Sequence, residues 1–136
     1  MELLNITQSD STILFNELLH NKDYNAIIDT LSDKSKRLSL GENKVYRLLS
    51  LITNSEQPLV KYSLASKKKY LESCSRKEFR FIITSLIEEP SNLNCMCLIK
   101  IRQLFSKEDF ENKIKNICLE DHHFNFLNGV LLSNNL

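Results

Sequence analysis

The chain has 136 residues, with 18 Lys and Arg against 17 Asp and Glu, and a formal net charge of +1 at pH 7. This length suits a single domain over residues 1–136 that buries a core without disulfides, and the balanced charge argues against long-range attraction to nucleic acid or an anionic membrane. No apolar run approaches the roughly 20 residues that span a bilayer. The opening MELLNITQSDS lacks the basic start and cleavage site of a secretory signal, so we expect a cytoplasmic protein with reduced cysteines.

Helix starts are read mainly from capping residues, because the sequence contains only two glycines and two prolines. A start is indicated where a Ser, Asp or similar residue precedes a stretch with helical apolar spacing. The strongest case is Ser75, since Ser75 and Glu78 fit the capping box, in which each side chain satisfies a free backbone N–H. In chain order the predicted starts are Asp10, Asp23, Glu42, Gln57 with Pro58, Ser75, Ser91, Ser106 and Asp121.

Apolar residues recur three and four positions apart after these starts, which is the spacing of one helix face. There is no sustained alternation of apolar and polar residues between hairpin turns, so the sequence predicts an all-α protein of about eight helices. The stripes are, in chain order, Ile13, Leu14, Leu18, Leu19; Ile27, Ile28, Leu31; Val45, Leu48, Leu49, Ile52; Val60, Leu64, Leu71; Phe79, Ile82, Ile83, Leu86; Leu93, Cys97, Ile101, Leu104; Phe110, Ile114, Ile117, Cys118; and Phe124, Leu127, Val130, Leu131.

The spacing of the predicted starts indicates how the helices are arranged. Odd-numbered helices begin near residues 10, 42, 75 and 106 and even-numbered helices near 23, 57, 91 and 121, so corresponding starts recur about every 30 to 34 residues, the period of a helix-turn-helix repeat. The chain is therefore predicted to form four antiparallel helical hairpins that stack and share an elongated core. The alternative is a compact globular helical bundle, because any bundle of short helices gives similar spacings.

The stretch from Asn21 to Ile27, Asn-Lys-Asp-Tyr-Asn-Ala-Ile, resembles the turn and second-helix opening of a tetratricopeptide repeat. In that family a tyrosine after an acidic residue, here Tyr24 after Asp23, packs on the preceding helix. The resemblance covers most of the chain by period and this hairpin by residue type. In size and helicity the chain also resembles the small cytosolic chaperones of bacterial type III secretion systems, which serve virulence. The resemblance implies a non-enzymatic chaperone or adaptor that holds a partner's amphipathic helix, or a secreted subunit, between hairpins.

Candidate partner-binding residues come from segments in which apolar residues occupy more than one face of the predicted helix. The segments around Phe79 to Ile87 and Leu93 to Ile101 are apolar nearly all round, which indicates either a central core helix or a half-exposed groove, burial being the favoured interpretation. The last stripe has no following helix to cover it and is a candidate for homodimerisation or partner docking. The resulting candidates are Phe81, Ile87, Met96, Ile99, Phe124, Phe126, Leu127 and Leu131.

A basic cluster between Lys61 and Arg80 is the main feature that could point to nucleic acid. Its members are Lys61, Lys67, Lys68, Lys69, Arg76, Lys77 and Arg80. Phosphate contacts alone give salt-sensitive binding without sequence choice, and Glu72 and Glu78 interrupt the run. We therefore interpret the cluster as a solvated face, and a nucleic-acid partner is not expected.

Metal, cofactor and catalytic sites are not predicted. Cys95 and Cys97 are separated by one residue, which points them to different sides of a helix, and Cys97 and Cys118 fall on apolar stripes typical of buried thiols. His122 and His123 are expected to be exposed in the first turn of the last helix. There is no glycine-rich loop, nucleophile elbow or His-Glu-x-x-His spacing.

A second functional class fits the same helices. In length and in its abundance of Asn, Ile and Lys the chain also resembles viral host antagonists built as compact helical bundles, which bind a host protein helix in a surface groove. In that case one central helix is wrapped by the others, and the segment from Phe79 to Leu86 is the best candidate for it.

Overall fold

The computed structural model describes the backbone of residues 2–136 and the side chains of residues 12–136. Within that part the chain forms helices and no strand, which confirms the predicted all-α class. No helix among the described residues combines the length and the apolarity that a membrane crossing requires. The ten described helices are α1 (Glu2–Asn21), α2 (Tyr24–Ser32), α3 (Lys34–Leu40), α4 (Glu42–Thr53), α5 (Pro58–Ala65), α6 (Lys68–Ser73), α7 (Arg76–Glu88), α8 (Asn92–Leu104), α9 (Lys107–Asn116) and α10 (Asp121–Ser133).

The chain divides into two compact units. The first unit, Met1–Asn54, contains α1 to α4, and α3 packs against α1, α2 and α4. Helices α2 and α3 begin at side-chain caps, since the carboxylates of Asp23 and Asp33 accept from the backbone N–H groups of Ala26 and Lys36 at 3.2 Å each. Its buried apolar side chains are Phe15, Leu18, Ile27, Ile28, Leu31, Leu40, Val45, Leu48, Leu49 and Ile52.

Helix α3 carries a charged residue on its inward face. Arg37 is 7% exposed, and its Nη1 donates to the carbonyl oxygen of Leu31. Leu38, by contrast, is 74% exposed. The helix ends at Gly41, whose φ of +88° lies in the left-handed region that favours glycine. Because an arginine occupies the position where a stripe would place an apolar residue, apolar spacing does not predict this helix.

The second unit, Ser55–Leu136, contains α5 to α10, and α8 packs against α5, α7 and α10. Helix α8 is apolar nearly all round because it has these three neighbours. Its Cys97, Leu98 and Ile101 are at most 1% exposed. Further buried apolar side chains are Val60, Leu64, Tyr70, Leu71, Phe79, Ile82, Ile83, Leu86, Ile87, Phe105, Phe110, Ile114, Ile117, Leu127 and Leu131.

The short helix α6 is held by polar contacts to its neighbours in the second unit. Tyr70 is fully buried, and its hydroxyl donates to Glu78 Oε1 at 2.8 Å. Glu78 also completes the predicted capping box of α7 with Ser75. From α9, Lys113 Nζ donates to the carbonyl oxygen of Leu71 at 3.0 Å and lies 5.1 Å from the ring centroid of Phe79. These bonds fix the start of α7 and the inner side of α9.

Most predicted helix starts are confirmed, from the second, at Asp23, to the last, at Asp121. The predicted start at Asp10 is wrong, because α1 begins at Glu2. The predicted number of about eight helices is corrected to ten described helices, because α3 and α6 are too short to show a stripe of their own. The side chains of residues 1–11, which include Asp10 and the segment compared with a secretory signal, lie outside the described residues. The single domain over residues 1–136 stays a prediction.

Candidate partner-binding groove

A groove with a volume of about 570 Å³ lies between α9 and α10 in the second unit, and Arg102 of α8 also lines it. We call it the α9–α10 groove. Most of the side chains that line it are apolar. The lining residues are Arg102, Lys107, Phe110, Glu111, Ile114, Lys115, Phe124, Leu127, Asn128, Leu131, Leu132 and Leu136.

The apolar lining has a buried part and an accessible part. Phe110, Ile114, Leu127 and Leu131 are at most 7% exposed and form the floor. Phe124 and Leu132 of α10 are 43% and 74% exposed and supply apolar surface that a binding partner could cover. A concave apolar surface with exposed aromatic and leucine side chains is typical of sites that receive another apolar surface.

Helical spacing produces the two walls of the groove, whose buried lower parts form its floor. Phe110 and Ile114 lie four positions apart on α9, and Phe124, Leu127 and Leu131 lie three and four positions apart on α10, so each set occupies one side of its helix. The two walls are formed by facing stripes.

The connection between α9 and α10 is tied to α7. Arg80 Nη1 donates to the carbonyl oxygens of Ile117 and Cys118 at 2.8 Å and 2.6 Å. Ile117 is the C-cap of α9, and Cys118 has a φ of +50° in the turn that follows. A guanidinium group thereby satisfies carbonyls at the end of α9 and fixes where the chain turns towards α10.

The charged residues that line the groove are mainly basic. Arg102, Lys107 and Lys115 line it, against a single acidic residue, Glu111. Arg102 is held in place by a hydrogen bond from Nη1 to the carbonyl oxygen of Phe105 at 3.2 Å, and its guanidinium lies 5.8 Å from the ring centroid of Phe110. This excess of positive charge favours a partner with acidic residues beside its apolar face.

The structure brings together three of the predicted partner-binding residues, since Phe124, Leu127 and Leu131 all line the α9–α10 groove. Phe126 lies on the same helix but outside the lining, and it is half-buried.

The other four predicted candidates lie on α7 and α8 and do not line this groove. Ile87 is 4% exposed, which makes it a core residue of the second unit. Met96 is 55% exposed, while Phe81 and Ile99 are half-buried. Sequence reasoning did not single out Leu132 as a binding residue, although its position one residue after Leu131 extends the α10 stripe.

The histidines at the start of α10 differ from the prediction. His123 is 8% exposed instead of being an exposed cap residue, because α10 packs against α7 and brings His123 Nε2 to 3.7 Å from Glu88 Oε1. His122 is exposed, as predicted, and its Nδ1 lies 3.5 Å from Glu120 Oε2.

Two cysteines predicted to be buried differ in their surroundings. Cys97 is fully buried, and this burial raises the pKa of its thiol to about 11, with the charge of Lys61 opposing the shift. The prediction of burial is confirmed for Cys97 and wrong for Cys118, which is exposed because it lies in the turn after α9. The contacts described for Cys118 Sγ are with the carbonyl oxygens of Lys115 and Asn116, at 3.8 Å and 4.0 Å.

Several residues of the predicted basic cluster make hydrogen bonds or ion pairs within the protein. Lys61 Nζ donates to Asn94 Oδ1 at 3.3 Å, and Arg80 makes the two carbonyl bonds described above. Lys68 pairs with Glu72 one helical turn away, at 3.3 Å. At least these three cations have contacts within the protein.

No known family model and no solved structure matches the chain. The sequence is similar to the large tegument protein deneddylase of human herpesvirus 7 (strain JI), with 29% identity over 118 residues. The matched region covers 85% of this chain but spans only 6% of the length of the viral protein.

Proposed function

We propose that this chain is a protein-binding module whose α9–α10 groove receives the apolar face of a partner's amphipathic helix. The observation that supports this proposal is the combination of a buried apolar floor with two accessible apolar side chains, Phe124 and Leu132, on its rim. A helix supplies anchors three or four residues apart, which suits an elongated trough between two helices. The basic lining residues select a helix with acidic flanking residues.

We propose two versions of the role that this chain plays when it binds its partner. The first is the chaperone or adaptor that the resemblance to tetratricopeptide repeats and type III secretion chaperones implies. The second is a segment of a viral protein that binds a host helix, and the similarity to a herpesvirus 7 tegument protein supports this version. We adopt the second as the working version.

The stacked arrangement of hairpins is part of the proposal. In the second unit α8 packs against both α5 and α10. These three helices are the second members of consecutive predicted hairpins, and contact between neighbouring hairpins is what stacking requires. Small-angle X-ray scattering checks the arrangement, because four stacked hairpins give an elongated profile whereas a globular bundle gives a compact one.

We also propose that the module is non-enzymatic. A cysteine nucleophile needs an adjacent base that withdraws its proton. The thiol of Cys97 instead holds its proton more tightly than a free cysteine does, since burial raises its pKa to about 11. The described contacts of the exposed Cys118 are backbone carbonyls. Incubation with a neddylated substrate is expected to leave it intact, and cleavage that disappears in Cys118→Ser would contradict this part of the proposal.

Site-directed photocrosslinking tests where a partner binds. A photoreactive amino acid replaces either Leu132, on the groove, or Leu59 on α5, which does not line it; these leucines are 74% and 78% exposed. In cells that naturally contain the protein we expect adducts at position 132 and few at position 59. Mass spectrometry identifies the adduct, and a second copy of this chain would reveal the homodimer. Equal labelling at both positions would rule out the groove.

A peptide covering the crosslinked segment then provides an affinity measurement. Leu132→Glu and Leu59→Glu remove matched exposed leucines, so neither is expected to disturb the core. We expect Leu132→Glu to weaken peptide binding by about tenfold or more, corresponding to about 1.4 kcal/mol or more, because it removes an apolar contact and places a negative charge beside an acidic partner. Leu59→Glu should bind like the unchanged protein.

A further inference from the structure

A second cluster of functional side chains lies at the start of α10, apart from the groove lining. Glu120, His122 and His123 each place one carboxylate oxygen or ring nitrogen so that all three atoms lie within 4.8 Å of one another. His122 Nδ1 and Glu120 Oε2 are 3.5 Å apart. Two ligands of a tetrahedral zinc ion, each about 2.0–2.1 Å from the metal, are separated by roughly 3.3 Å. The pair of His122 and Glu120 is therefore close to the separation of two ligands on one ion, and the atom of His123 lies within 4.8 Å of both.

His123 provides an independent indication. It is 8% exposed, and its Nδ1 is buried without a hydrogen-bond partner. Its other ring nitrogen, Nε2, lies 3.7 Å from Glu88 Oε1 on α7. A buried polar nitrogen without a partner is rare in folded proteins, and a bound ion or water is one physical explanation of it. In the neutral imidazole, a proton on Nε2 directed at Glu88 leaves a lone pair on Nδ1.

The surroundings of His123 match those of a metal-binding histidine. Such histidines direct their second nitrogen at a carboxylate, which orients the ring and raises its basicity. The carboxylate of Glu88, 3.7 Å from Nε2, lies just beyond hydrogen-bond distance and would take that place after a small shift. The positive end of the α10 dipole opposes a cation at the start of the helix, and the negative charges of Glu120 and Glu88 offset it.

We infer that Glu120, His122 and His123 form a Zn²⁺ site, oriented by Glu88. Two imidazoles and one carboxylate suit zinc, whereas calcium and magnesium prefer oxygen ligands only. Three protein ligands leave the fourth tetrahedral position open to water or to a side chain of another molecule.

Isothermal titration of the full chain with Zn²⁺ tests the site. We expect one ion per chain with a micromolar dissociation constant. His122→Ala and Glu120→Gln alter side chains that are 69% and 63% exposed, so both variants should fold normally. Each should weaken Zn²⁺ binding by about tenfold or more, and Glu88→Gln by about 10- to 100-fold through the orientation of His123. His20→Ala is the control, since His20 is an exposed histidine of the first unit.

Co²⁺ absorption spectra identify the ligands. A site of nitrogen and oxygen ligands gives weak visible bands without the intense near-ultraviolet bands of thiolate ligation. Three outcomes would overturn the inference: no Zn²⁺ binding at micromolar concentrations, full affinity retained in both His122→Ala and Glu120→Gln, or thiolate bands that vanish in Cys118→Ser. The last outcome would place the metal on a cysteine, and none of the three depends on whether the groove binds a partner.

Discussion

Arg80 links two parts of the second unit through one guanidinium group. Its hydrogen bonds to the carbonyl oxygens of Ile117 and Cys118 join α7 to the turn after α9. Bonds from a charged donor to partly buried carbonyls have a larger net effect than neutral ones. The position of this turn therefore depends on a side chain distant in sequence.

Replacing Arg80 by alanine is expected to lower the free energy of unfolding by about 1–2 kcal/mol, because two carbonyl oxygens lose a charged donor. Urea denaturation measures the change. Arg76→Ala, at an exposed position of the same helix, is the matched control and should change stability by no more than about 0.5 kcal/mol. Equal losses in the two variants would show that the carbonyl bonds do not matter.

The buried thiol of Cys97 predicts a pH dependence of stability. The pKa rises from 9.0 to about 11 on folding, so between these values the unfolded chain loses a proton that the folded chain keeps. Stability therefore falls as pH rises above 9.0, by about 2 kcal/mol when the pH reaches the upper value.

The slope of stability against pH in Cys97→Ala isolates this contribution. Urea unfolding at several alkaline pH values should give a shallower decline for Cys97→Ala than for the unchanged chain. Cys118→Ala removes an exposed thiol and should leave the slope as it was. A decline of the same steepness in all three proteins would refute the assignment to Cys97.

At the scale of the helices, the sequence contains most of the information that sets their limits. Asp23, Ser75, Ser91 and Ser106 cap the helices they were predicted to cap, because a side-chain cap is a local interaction. Helix α3 could not be predicted from apolar spacing, since its inward position is filled by Arg37. Burial of that arginine depends on the carbonyl oxygen of Leu31, which only the folded chain brings near.

The two glycines give opposite predictions for helix stability. Gly129 lies inside α10, and a Cβ added there meets nothing within 4 Å. Gly129→Ala is therefore expected to raise the free energy of unfolding by about 0.8–1 kcal/mol through helix propensity alone. Gly41→Ala is the contrasting variant and should lower stability, because Gly41 has a φ of +88°. Thermal unfolding monitored by circular dichroism compares the two, and destabilisation by Gly129→Ala would contradict the expectation.

At the scale of the whole molecule, the groove was only partly predictable. The α10 residues Phe124, Leu127 and Leu131 follow from the apolar stripe of that helix. Their pairing with Phe110 and Ile114 of α9 depends on how two helices meet in space, which local spacing does not encode. For helices that are apolar nearly all round, the sequence does not indicate which side chains are exposed. In α8, Met96 is exposed while Cys97 beside it is fully buried.

Leu127 distinguishes the floor of the groove from its accessible rim. Leu127 lines the groove but is only 1% exposed, so it belongs to the core as well as to the floor. Leu127→Asp is therefore expected to destabilise the second unit by at least the roughly 2–5 kcal/mol typical of Leu→Ala in a core, because it also buries a charge.

Hydrogen exchange measures this effect residue by residue. Leu127→Asp should reduce amide protection in α7, α8 and α10, the helices that pack against one another in the second unit. Phe124→Asp alters a rim residue that is 43% exposed and should leave protection largely unchanged. Similar losses in the two variants would mean that the rim, too, is part of the core.

The anchoring of the α9–α10 turn by Arg80 has a consequence for how a guest would associate. Because a guanidinium group holds this corner, the gap between the two helices is set before any guest arrives. A helix of the right width then docks without a slow opening step and with little entropy lost by the host. In the proposed binding mode, a helix whose side chains are too large for this gap would be excluded at the Arg80 corner.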